Sequence, residues 1–190
     1  MLRTLRADLS CHVDASQHSG LRFWVKAIGK AIIQPQIHVV LLYRLSHWLY
    51  RFRLLRIFAF MLRSKAVRIG SAEIHPAAKI GPGFALVHSI GTLIGPGVVI
   101  GKDARIAHIV SIGEQGRGVQ GEQGAPRLGD HVTVGIGTVI MGNVNIGDHA
   151  VVGANSVVRK DVPAGAVVAG APARIIRWVE GFEPQEATGP

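Results

Sequence analysis

Cysteine occurs once in these 190 residues, at Cys11, so no internal disulfide forms. No basic segment, apolar core and cleavage site open the chain, and a reducing cytoplasm is the expected compartment. Nucleophile signatures are missing as well: there is no G-x-S-x-G, no P-loop and no C-x-x-C. Nucleic acid is not an expected partner, because no known binding motif or interleaved aromatic platform is present. What remains for chemistry is histidine, of which there are nine.

Acidic residues are scarce in one part of the chain. Residues 1–68 hold 12 Lys/Arg against only Asp8 and Asp14, whereas residues 69–190 are nearly neutral, so the formal charge of +9 sits at the N-terminal side. Such asymmetry points to an anionic surface or ligand near that part. The length fits one domain or one domain with an appendage.

What is abundant is a period. From Ile74 to Val158 an aliphatic residue recurs every sixth position: Ile74, Ile80, Leu86, then Ile94, Ile100, Ile106, Ile112, then Leu128, Val134, Ile140, Ile146, Val152, Val158. In eight hexads glycine follows, where a tight corner tolerates no side chain. Six is neither a helical nor a simple strand period. It is the hexapeptide signature of a parallel β-helix, three short strands to a triangular coil, with the aliphatic residue pointing inward. The expected organisation is a basic α-helical region over 1–68, an all-β β-helix over 69–178 with a projecting loop at 113–127, and a tail over 179–190.

Within the helical region Gly20, Gly29 and Gln34-Pro35-Gln36 are read as breaks. The apolar stretch 37–62 is long enough to span a bilayer, but Arg44, His47, Arg51, Arg53 and Arg56 interrupt it, at about 2.5–3.5 kcal/mol for each central arginine. Helices packed on the β-helix and on neighbouring subunits are expected. An interfacial helix with snorkelling arginines is the alternative.

The hexad register breaks twice. Two additional residues lie between Leu86 and Ile94, and the polar, glycine-rich 113–127 is inserted into a later coil. Such a loop, too poor in apolar anchors to bury a core, is expected to cover a ligand or a neighbour. His131 and His149 lie one 18-residue coil apart and are expected to stack as surface residues without a role. No H-x-x-x-x-H pair occurs, so a metal site of the β-helical carbonic-anhydrase type is not expected. His88 stands at the first break, and Glu73, about one coil earlier, is positioned to orient its ring for base chemistry.

The ordered series Tyr43-Arg-Leu-Ser-His-Trp-Leu-Tyr, Glu73-Ile-His-Pro-Ala-Ala-Lys-Ile-Gly81, Val87-His88-Ser-Ile-Gly91 and Val168-Ala-Gly-Ala-Pro-Ala-Arg174 resembles the serine acetyltransferase family of left-handed β-helix acyltransferases. The resemblance covers about residues 37–178. It implies a trimer, or a dimer of trimers, using acetyl-CoA and no metal. His88 takes the place of the family's general base, and Glu73 that of its orienting aspartate. Ile136 and Ala154 match pantetheine contacts, and a further step of 18 residues reaches Pro172. Direct transfer follows, with backbone N–H groups near the base of the Gly113 loop expected to steady the oxyanion.

The chain departs from that family at the acceptor. Val87 replaces the aspartate before the catalytic histidine, and Gly124-Ala125 replaces an Arg-His pair. Asp14 corresponds loosely to a family acceptor aspartate. The segment Ile106-Ala-His108-Ile-Val-Ser-Ile-Gly113 is similar to short exopolysaccharide acetyltransferases of the colanic-acid type, which makes His108 a second acceptor-site candidate. These departures lead to the expectation of a sugar or glycan acceptor in polysaccharide biosynthesis, of peripheral contact with the inner face of the cell membrane, and of no docking to cysteine synthase. A serine O-acetyltransferase with an altered pocket and a non-catalytic scaffold are the alternatives.

Overall fold

The computed structural model describes residues 2–11, 21–114 and 124–183; Asp14 and most of the projecting loop therefore lie outside the described residues. From Glu73 onward the chain winds a three-sided prism of two- to five-residue strands. All thirteen aliphatic positions of the period are in strands and buried. Ile74, Ile94, Ile112, Ile140 and Val158 line the first face, Ile80, Ile100, Leu128 and Ile146 the second, and Leu86, Ile106, Val134, Val152 and Val168 the third. A second inward ring stands two residues earlier, as at Ala78, Phe84, Val98, Ala104, Val132 and Ala150, all fully buried. Alternation within each strand puts both positions on the same side.

Register fixes the coil lengths. Glu73 pairs with Leu93, 20 residues on; Leu93 pairs with Ser111, 18 on; Ser111 pairs with Val139, 28 on; Val139 pairs with Val157, 18 on. The two expected breaks account for the 20 and the 28. A third break was not expected: Val151 pairs with Val167, 16 on, because Val162 rather than a sixth-position residue bridges Ile146. The chain then reverses, and Arg174–Trp178 runs antiparallel to Ala166–Ala169 across a bulge.

Stacked corners leave no room for side chains. A Cβ on Gly101 would lie 2.5 Å from the Gly129 carbonyl oxygen and 2.6 Å from its carbon, both rigid backbone. Gly101→Ala is therefore expected to cost about 1–3 kcal/mol, read as a lower urea midpoint with unchanged slope. At the same edge His131 and His149 stack at 4.6 Å, as their spacing implies, and Phe182 packs on His149 at 5.0 Å. Beside them the Lys102 N–H donates to Asp130, 2.9 Å away, and this bond holds the carboxyl below the usual range.

Four helices precede the prism: α1 (Leu2–Ser10), α2 (Leu21–Ile33), α3 (Pro35–Tyr50) and α4 (Arg56–Gly70). Pro35 occupies the first turn of α3, where its missing N–H costs nothing. Gly29, expected to break the chain, lies inside α2, where an absent side chain costs only about 1 kcal/mol. The break at residues 51–55, with neither Gly nor Pro, was not expected. Three side chains of α3 anchor the helices to the first coil. Tyr43 donates its hydroxyl to the Ala78 carbonyl at 2.9 Å, and burial pushes the phenol up to about 12. The His47 ring nitrogen Nδ1 lies 2.8 Å from the Pro76 carbonyl oxygen, and the Arg44 guanidinium reaches the Ile80 and Gly81 carbonyls.

Candidate functional site

The prism has three edges, and the site residues sort by edge. Between the third and first faces lie His88, His108, Ile136 and Ala154, one per coil. Backbone bonds lace these corners together: Ile109 N–H donates to the Ile90 carbonyl at 2.9 Å, Gly137 to His108 at 3.2 Å, and Asn155 to Ile136 at 2.7 Å. The corners turn through left-handed backbone, with φ of 64° at His88, 58° at Ile109, 69° at Gly137 and 54° at Asn155. Histidine and asparagine are among the residues that accept this region.

His88 is exposed, and its ring meets that of His108 edge-on, with centroids 5.6 Å apart. The Nδ1 of His108 is buried and has no hydrogen-bond partner. Glu73 begins the first strand, beside the corner that carries His88, since the Gly91 N–H of that corner donates to the Ser71 carbonyl at 2.8 Å. Its Oε1 is taken by Nη2 of Arg63 from α4, not by His88. The expected Glu73–His88 hydrogen bond is thus not made in the single chain, because α4 supplies a competing cation. Sequence reasoning missed Arg63, which is helical and distant from both motifs.

Ile136 and Ala154 stand exposed one coil apart on this edge. A Cβ on the neighbouring Gly135 would lie 2.6 Å from the Ala154 nitrogen, so the coils are in direct backbone contact there. Together they form a straight, open, apolar ridge. Pro172 does not continue it in register: the last coil is 16 residues, which places Gly170 above Ala154 and Pro172 two residues beyond. Pro172 instead lines a cleft of about 490 Å³ with Arg159, Lys160, Ala173 and Arg174. That basic group, beside Asp161 at the far end of the prism, was also missed, although Arg159-Lys160 directly follows the last hexad.

The projecting loop leaves from Ser111–Gly113 on the first face and returns to Arg127–Leu128 on the second. Its base is therefore on a different edge from His88. The loop was expected to cover a ligand or a neighbour, and its residues 115–123 lie outside the described residues. Asp14 lies outside the described residues, and no group of three or more metal-binding side chains occurs among the described ones.

Residues 125–160 match the bacterial transferase hexapeptide family (six repeats). The chain is 41% identical over 145 residues to the serine acetyltransferase of Helicobacter pylori, covering 76% of this chain and 83% of that protein. To the serine acetyltransferase of Buchnera aphidicola it is 39% identical over 143 residues, 75% of this chain and 54% of the relative. The chain spans about half the length of that relative and of serine acetyltransferase 2 of Arabidopsis thaliana, of which 46% is covered. Among solved structures, the serine acetyltransferase of Brucella abortus in complex with coenzyme A superposes with a TM-score of 0.78 at 33% identity, covering 92% of this chain and 67% of that one. The Neisseria gonorrhoeae serine acetyltransferase in complex with serine gives 0.78 at 29% identity, over 93% and 69%.

These relatives identify the prism as a left-handed β-helix and overturn one expectation. The sugar or glycan acceptor, inferred from missing acceptor residues, is not supported by these relatives, all five of which are named as serine acetyltransferases. A role in polysaccharide biosynthesis falls with it. The expectation of no cysteine synthase docking rested on the tail beyond 183, outside the described residues, and is set aside.

Proposed function

Because the chain belongs to the serine acetyltransferase family of hexapeptide transferases, we propose that it transfers an acetyl group from acetyl-CoA to the hydroxyl of L-serine. The observation that carries the reading is the single edge shared by His88, His108, Ile136 and Ala154. An extended pantetheine arm fits an apolar ridge, and Arg159, Lys160 and Arg174, in the cleft at the last coil, offer cations for the phosphates of CoA.

In this reading His88 removes the proton from the serine hydroxyl as its oxygen attacks the thioester carbon. The protonated imidazole then returns that proton to the departing thiolate as the carbon–oxygen bond is kept and the carbon–sulfur bond breaks. A positioned base of this kind contributes about 10²- to 10⁴-fold. Glu73 orients His88 once Arg63 is drawn aside. The strands that flank the loop border another edge than that of His88, and a loop that serves the site of a neighbouring subunit, in a trimer with its sites between subunits, fits that order of faces. The loss of the charged pair at Gly124-Ala125 then leaves serine less tightly held.

Purified protein supplied with acetyl-CoA and L-serine is expected to release CoA thiol, with KM for serine elevated and D-serine and sugars inert. Binding of CoA without thiol release from any acceptor would overturn the reading in favour of a scaffold.

A further inference from the structure

The turn between α3 and α4 presents apolar and basic side chains outward, with Arg56 lying over the Tyr50 ring at 4.7 Å. In Arg51-Phe-Arg-Leu-Leu-Arg-Ile-Phe58 every residue except Leu55 is exposed, Leu54 at 91% and Ile57 at 67%. Trp48 packs edge-on against Phe52 at 5.5 Å and is itself exposed, and a shallow groove along α4 adds Met61, Lys65 and Arg68. Among the described residues, Arg51, Arg53 and Arg56 pair with no carboxylate. No Asp or Glu occurs anywhere from residue 15 to residue 72. Apolar side chains alternating with unpaired arginines on an exposed tip match one environment: the apolar groups enter the acyl boundary while the guanidinium groups meet phosphate.

We propose that this helical hairpin docks the protein on the surface of an anionic lipid bilayer. Charge selects the occupant. A second copy of the same tip would bring arginines against arginines with no counter-ion, whereas an anionic leaflet supplies the missing charge. The hairpin rests on the surface and does not cross it. No single described helix is long and apolar enough to span, and α3 spends its apolar residues Ile37, Val39, Val40 and Tyr43 inside the protein. The hairpin turn packs beside the first coil, where Tyr50 and Phe60 meet the His75 ring at 6.0 and 5.6 Å, at the corner between the first and second faces and not at the one that carries His88.

Flotation of the full chain with vesicles tests this. With phosphatidylcholine containing a quarter phosphatidylglycerol the protein is expected to float, and with pure phosphatidylcholine to stay behind. Replacing Arg51, Arg53 and Arg56 by serine is expected to lower the partition coefficient on the order of 100-fold. The pair Leu54→Glu and Ile57→Glu is expected to abolish flotation while serine acetylation and oligomer size persist, so failure here is distinguishable from failure of the proposed reaction. Equal flotation with both vesicle types, no flotation with either, or a smaller oligomer in the glutamate pair, which would make the tip a subunit interface, overturns the proposal.

Discussion

Replacing His88 by asparagine is expected to lower kcat for serine acetylation by about 10²- to 10⁴-fold with the fold intact. Asparagine is the informative choice because His88 sits at φ 64°, a region that asparagine tolerates and most residues do not. Alanine there would mix loss of the base with strain in the corner. The KM for acetyl-CoA is expected to stay within a few-fold, since Ile136 and Ala154 belong to later coils on the same edge. A fall in kcat below tenfold, measured by thiol release at saturating serine, would remove His88 from the role of base. If His108 took over the proton, the double replacement would be far slower than either single one. Such synergy would assign the pair, not one ring, to the step.

The prism was legible because a single physical demand, an inward aliphatic residue at each strand, repeats without change from coil to coil. The same counting also carries more than the period. Ile74, Ile80 and Leu86 assign three faces in turn, so Ile112 must fall on the first face and Leu128 on the second. The two ends of the loop thereby border a different edge from that of His88, which follows Leu86 on the third face. The 16-residue coil was less accessible, since it appears only as a shortened step from Val158 to Val162, and it alone displaces Pro172 from the ridge.

The helical region was legible as helical but not in its joints. Gly29 reads as a breaker and is not one, since a Cβ there would meet nothing within 4 Å and tertiary packing holds α2 continuous. The turn at residues 51–55 carries no breaker at all, and it forms where α3 and α4 fold back over the first coil. Arg63 and Asp8 were unreadable for a different cause. Each acts through a partner in another element, ten residues on for Arg63 and 36 for Asp8, and no local pattern announces such a pairing.

Asp8→Ala is expected to destabilise the protein by about 3–5 kcal/mol, because it strands the charge of Arg44 in a dry interior. Asp8 is 3% exposed and Arg44 8%, and Nε and Nη2 of Arg44 donate to the two carboxylate oxygens at 2.8 and 3.0 Å. The Phe84 N–H donates to the same carboxylate at 3.0 Å, so one side chain joins α1, α3 and the first coil. For a chain of this size such a loss lowers Tm by roughly 10 °C. Replacing both partners, Asp8→Leu with Arg44→Met, removes the unpaired charge and is expected to recover part of the loss. It does not recover all of it, since the Ile80 and Gly81 carbonyls and the Phe84 N–H lose their partners as well. The cycle of wild type, two single variants and the double variant, measured by denaturant unfolding at one protein concentration, therefore separates the two terms. A double variant less stable than Asp8→Ala would show that the backbone anchors on Arg44, and not the pairing of charges, hold the helices to the prism.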